Sequence, residues 1–195
     1  MKKNILYLFL LAGLMFILNN CGIQPPTQDL DLAKAKLAEA EEVEANQYAP
    51  TEFNKAKELI NSGSKVMVKE KSRKNKGAKE DFTSAKTEAE KAYTKAAPSY
   101  TQKNIQELES SLSKGKEIKA DVAAKDDYSK AQQLLTESKD AYAKKEYKNS
   151  YTKAKTAREI AENAYKSAAE KKSKAETAIQ DAKKSLEEVE KNQNQ

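Results

Sequence analysis

A line of small residues near the C-terminal end constrains this chain more than any other feature. Every seventh residue from Tyr147 onward is Ala154, Ala161, Ala168, Ala175, Ala182 and Val189, and a companion line carries Tyr151, Ala157, Tyr165, Ile179 and Leu186. A repeat of seven sustained this far keeps one stripe of an α-helix turned toward a neighbour, as in a coiled-coil seam. Alanine on that seam lets helix axes approach closely, while the tyrosine rings are expected to fill the wider gaps and leave their hydroxyls at the solvent edge. With 34% charged residues, no Trp and no His, the chain cannot build a thick globular core. Low hydrophobicity with high charge is also the signature of disorder. Against that, Ala, Lys, Glu, Leu and Gln favour helix and the apolar residues recur at helical spacing. Long thin helices packed side by side are expected.

Upstream, Leu30, Ala33, Leu37, Ala40 and Val43 share one helical face, which stops at "NQYAPTEF". Pro50 suits the first turn of a new helix and pushes Ala49 out of helical geometry, so a sharp reversal is predicted there. The next helix carries Phe53, Ala56, Leu59 and Ile60 toward Val68. "KEKSRKNKGAKE" then breaks the apolar rhythm, and a third helix with Phe82, Ala85, Ala89, Ala92, Tyr93 and Ala96 is predicted to end before Pro98. Moved along by 75, the pattern returns: Leu30, Leu37 and Val43 fall on Ile105, Leu112 and Ile118, and Phe53, Ala56, Leu59 and Ile60 fall on Tyr128, Ala131, Leu134 and Leu135. The third helix aligns at a shift of 72, which carries Ala85, Ala89, Ala92, Tyr93 and Ala96 onto Ala157, Ala161, Ala164, Tyr165 and Ala168. The expected fold is all-α: an elongated antiparallel helical bundle with coiled-coil character, built of two tandem three-helix units. These are residues 30–97 and residues 99–191, the second with an extended C-terminal helix; Asp126 and Asp127 are expected to cap its middle helix, and Asn192 to Gln195 to fray.

The N-terminal residues read differently. Lys2 and Lys3 precede fourteen uncharged residues, Ile5 to Leu18. That run is shorter than the roughly 20 residues a spanning helix needs, but suits the apolar region of a secretory signal. Leu18-Asn19-Asn20-Cys21-Gly22 follows, with the only cysteine of the chain. This stretch resembles a bacterial lipobox, with Asn20 in place of the usual Gly, Ala or Ser, and is similar to the permissive lipoboxes of spirochaetes. The resemblance implies removal of residues 1–20, a diacylglycerol on the Cys21 thiol as the sole covalent attachment, and residues 21–29 as a short extended tether. The motif "ANQYAPTEFNKAKELI" also resembles an alanine-rich helical domain of unknown function found in bacterial envelope lipoproteins, through Ala45, Tyr48, Ala49, Pro50, Phe53, Ala56 and Leu59. The second copy shares it only through "YSKAQQLL". The family brings a location and a helical fold, and no activity.

Chemistry-bearing patterns are sparse. Without His, and with its thiol acylated, the chain has no ordinary nucleophile and base pair. Its carboxylates, such as Glu39, Glu41, Glu42 and Glu44, sit on an exposed helix face where nothing buries a general acid. No phosphate loop, EF-hand or zinc spacing occurs; no catalysis, cofactor, metal or small-molecule substrate is expected. The stretch from Lys65 to Glu80 stands out with a local charge of +5, carried by Lys65, Lys69, Lys71, Arg73, Lys74, Lys76 and Lys79 against Glu70 and Glu80. A soluble hairpin turn explains it; Lys69, Lys71, Arg73, Lys74, Lys76 and Lys79 could also contact a polyanion or a partner protein. Export argues against nucleic acid. The reading is a lipid-anchored, non-catalytic interaction module of a bacterial envelope. It is expected at the outer membrane, on the periplasmic or the surface face, docking other envelope proteins or the wall. The alternative is a surface adhesin that binds host components or polyanions through residues 65–80.

Overall fold

The computed structural model describes residues 26–69 and 75–193. Of these, 94% are helical and none lies in a strand. The helices are α1 (Thr27–Glu42), α2 (Ala45–Tyr48), α3 (Pro50–Lys69), α4 (Asn75–Glu117), α5 (Ala120–Ala123), α6 (Lys125–Ala143) and α7 (Tyr147–Gln193). They pack antiparallel, and α7 is the long C-terminal helix that the heptads require. The chain forms two compact units that divide between Lys95 and Ala96, inside α4.

In the first unit α1, α3 and the start of α4 enclose Ala33, Ile60, Ala78, Phe82 and Ala85, with Leu30, Leu37, Leu59, Val66 and Met67 packed against them. The second unit repeats the plan around Ile105, Leu108, Leu112, Tyr128, Ala131 and the alanine line from Ala154 to Ala168. Both cores are thin, because most fully buried positions are alanine. Stability therefore leans on helix propensity and length as much as on apolar burial.

The repeat is visible in the backbone. Glu44, which precedes α2, is left-handed at φ 53° and ψ 37°, and its counterpart 75 positions on, Lys119, sits at φ 65° and ψ 35°. Both begin a four-residue helix closed by a non-helical alanine, Ala49 at φ −145° and ψ 54° and Ala124 at φ −134° and ψ 49°. The hydrogen bonds match in step: Glu44 N–H to Glu41 O and Lys119 N–H to Lys116 O, then Ala49 N–H to Ala45 O and Ala124 N–H to Ala120 O. The second turn thus has the shape of the first without its proline. What the two share is a buried alanine, Ala45 or Ala120, and a buried ring, Phe53 or Tyr128. Packing against these sets the reversal, and Pro50 only fits it.

Several expectations are corrected. The helix that holds Ala96 does not end before Pro98; α4 runs through it from Asn75 to Glu117. Proline removes one amide donor and crowds the carbonyl four residues back. Here buried residues continue on both sides, with Ala92, Ala96 and Ala97 before it and Tyr100, Ile105 and Leu108 after it, and their burial outweighs one lost bond. Asp126 and Asp127 do not cap α6: its N-cap is Ala124 with no side-chain hydrogen bond, and both carboxylates lie in the first turn, where the helix dipole favours them. Helix α1 begins at Thr27, so three residues of the expected tether are helical. The C-terminal helix persists through Gln193. Tyrosine hydroxyls do not all face water, for Tyr128 donates to the Leu112 carbonyl at 3.2 Å from a buried ring.

Candidate functional site

The residues singled out in the sequence are only partly within the described chain. Cys21, Lys71, Arg73 and Lys74 lie outside the described residues. Lys69 is the last residue of α3. Lys76 and Lys79 are exposed in the opening turns of α4, and Lys76 forms an i,i+4 ion pair with Glu80 at 4.0 Å. Much of the basic stretch is therefore helix and not loop: Lys65 belongs to α3 and residues 75–80 to α4. The composition explains this, since Lys, Ala and Glu all tolerate helix. The first turn of α4 holds no acidic residue, so its basic side chains add to the positive end of the helix dipole.

A groove in the second unit was not legible in the sequence. Ser111, Lys114, Glu162, Tyr165 and Lys166 line a space of about 310 Å³ between α4 and α7. The repeat explains why it is there. In the first unit Lys36 stands where the second has Ser111, with Glu39 for Lys114, Glu90 for Glu162 and Tyr93 for Tyr165. Lys36 Nζ bonds Glu39 at 2.9 Å, and its pKa is raised chiefly by that hydrogen bond, with Glu90 and Tyr93 adding to it. Replacing that long cation by serine leaves the space unfilled. Tyr165 is 40% exposed beside it, a phenol wall with two lysines and one glutamate at the rim. All four of those side chains face solvent. Such a rim can hold a polar or charged group by surface contact, but offers no desolvated acid or base for proton transfer.

Elsewhere the charged groups stitch helices together. In the first unit Lys95 bonds Glu52, and Glu88 meets Lys91 at 2.9 Å and Lys55 at 3.8 Å. In the second, Arg158 bonds Glu107, Lys153 bonds Glu137, and Lys139 reaches Glu109 at 2.6 Å. The lysine hydrogen bonds hold the carboxyls of Glu52, Glu88 and Glu137 below the ordinary glutamate range. Burial, and then the charge of Asp121, push the Tyr128 phenol up. Among the described residues no three His, Cys, Asp or Glu side chains gather in a metal-binding group. No described helix is long and apolar enough to cross a membrane. No family model, curated protein or solved structure matches the chain. The alanine-rich-domain resemblance therefore rests on its motif residues alone.

Proposed function

We propose that this protein is a lipid-anchored, non-catalytic component of a bacterial cell envelope that acts by protein–protein contact. The observation that carries the reading is the N-terminal order of basic residues, fourteen uncharged positions and Leu18-Asn19-Asn20-Cys21-Gly22, with Cys21 the chain's single cysteine. In this reading the thiol receives a diacylglycerol. At about 0.8 kcal/mol per buried CH₂, two or more chains hold a protein on a membrane without a spanning helix. The helical body then serves as a display of polar surface, supported by the exposed face of α7 and the open groove beside Tyr165. Its partners would be other envelope proteins or the wall, most simply at the outer membrane.

Cys21→Ser tests the anchor. The variant is expected to leave the membrane fraction and to lack the lipid mass carried by the wild-type N-terminus. Membrane association equal to wild type, with no lipid on either protein, would overturn the reading.

A further inference from the structure

The alanine seam of α7 is covered only in its first half. Tyr151, Ala154, Ala157, Ala161, Ala164 and Ala168 are buried, and from Glu170 through Asn192 every residue is exposed. Yet the stripe does not stop at Ala168. Ala175, Ala182 and Val189 continue it, with Ile179 and Leu186 beside them, and Ile179, Leu186 and Val189 stand 55%, 64% and 52% exposed. Nothing in solvent rewards apolar residues aligned on one face of a helix.

We infer that this half-helix, residues 171–193, pairs with the same segment of a second copy as an antiparallel two-stranded coiled coil. The stripe sets a and d positions: Lys172, Ile179 and Leu186 at a, and Ala175, Ala182 and Val189 at d. In an antiparallel pair an a residue faces a d residue. One register then sets Ile179 against Ala182, Leu186 against Ala175, and Val189 against the aliphatic stem of Lys172. Each large side chain meets a small or pliable one. A parallel, in-register pair would instead stack Leu186 on Leu186, Ala175 on Ala175 and Lys172 on Lys172, alternating crowding, voids and repulsion.

Charge selects the same register. The flanking e positions are Glu176, Lys183 and Glu190, and antiparallel strands set e against e. In the register chosen by size, Glu176 of each copy faces Lys183 of the other. A slip of seven residues one way brings Lys183 against Lys183 and Glu176 against Glu190; a slip the other way brings Glu176 against Glu176. Like charges oppose each other in both. The g positions add no conflict: Ala178 faces Ser185, whose hydroxyl already bonds the Asp181 carbonyl at 3.1 Å. Among the described residues, coverage of α7 by its own chain ends near Lys171, whose ammonium bonds the Ala123 carbonyl, so the paired segment begins where those contacts stop. The pairing does not depend on the lipid anchor.

Disulfide trapping tests it in full-length chains. Two differently tagged copies, one Ala175→Cys and one Leu186→Cys, are co-expressed and oxidised in a low-salt detergent extract. The unsubstituted chain, with Cys21 alone, sets the baseline. A mixed disulfide dimer above that baseline is expected, and neither variant expressed alone should exceed it. Efficient trapping of Leu186→Cys with itself would show parallel strands and overturn the inference, as would no trapping at all or a disulfide to another protein. Lys183→Glu or Glu176→Lys introduced alone should cut the mixed dimer by roughly fivefold to tenfold, from two facing pairs worth up to about tenfold together. The two exchanged together should restore it, and no restoration would overturn the register.

Discussion

At position 63 the chain has a glycine inside a helix, and the reason is a single ring. A Cβ there would lie 2.6 Å from Cε1 of the fully buried Phe82. The second unit has the reverse arrangement: Ser138 occupies the matching site, and Ala154 stands where Phe82 would be. The space the ring leaves is crossed by reciprocal hydrogen bonds, Ser138 Oγ to the Ser150 carbonyl at 2.9 Å and Ser150 Oγ to the Ser138 carbonyl at 2.7 Å. Gly→Ala in a helix interior should stabilise by about 1 kcal/mol from propensity alone. Overpacking against a well-fitted ring costs about 1 to 3 kcal/mol, so Gly63→Ala is expected to destabilise. Among the described residues no atom lies within 4 Å of where a Cβ on Gly77 would stand, and Gly77→Ala is expected to stabilise by about 0.5 to 1 kcal/mol. Urea unfolding of both variants checks the opposite signs; a gain in stability at position 63 would refute the packing account. Nothing local in the sequence separates these two glycines, because the difference lies in a ring nineteen residues away.

Among the elements, α4 departs furthest from expectation. Its apolar face is legible on both sides of Pro98, and the local chemistry of the proline alone predicts a boundary there. The helix continues because the same face is buried before and after it. An interior proline costs about 3 kcal/mol, of which roughly 1 returns through the stiffer unfolded chain. Pro98→Ala is therefore expected to raise stability by about 2 kcal/mol with helix content unchanged by circular dichroism. A loss of stability would mean that α4 needs the proline's geometry. The turns show the converse. The reversal after α1 is readable from Ala49 and Pro50, whereas its twin at Lys119 carries neither proline nor glycine and is readable only through the repeat and through Asp126 and Asp127, which do not cap the helix that follows. Left-handed Glu44, Lys119 and Lys145 take a conformation that L-residues avoid at a cost of about 1 to 2 kcal/mol; buried Val43 and Ala45 flank the first, and buried Ala120 follows the second. For the same reason the groove at Tyr165 was hidden: it follows from one serine in place of Lys36, meaningful only once the two units are superposed.

For the molecule as a whole, the absence of histidine removes the side chain whose ordinary pKa lies nearest neutrality, so its stability should be flat there. Glu52, Glu88 and Glu137 have carboxyls lowered by lysine hydrogen bonds. Their contribution is present above the unfolded glutamate value of about 4.3 and fades as pH falls through the lower folded values. Tyr128 and Lys36 are raised, so theirs is present below about 10 and lost as pH climbs past it. The melting temperature is expected to hold level between about pH 5 and pH 9 and to fall on both sides. The acid arm should shrink at high salt, because those ion pairs are only partly covered and salt screens them. A melting temperature that changes steeply across neutrality would contradict this assignment. The sequence by itself determined that the chain is helical, which faces carry the apolar residues, and that one pattern occurs twice, since period and composition are properties of the chain alone. Tertiary structure decided where the helices stop. Whether a proline ends a helix, a lysine turns left-handed or an alanine seam is covered depends on what packs against it, and no local residue pattern records that.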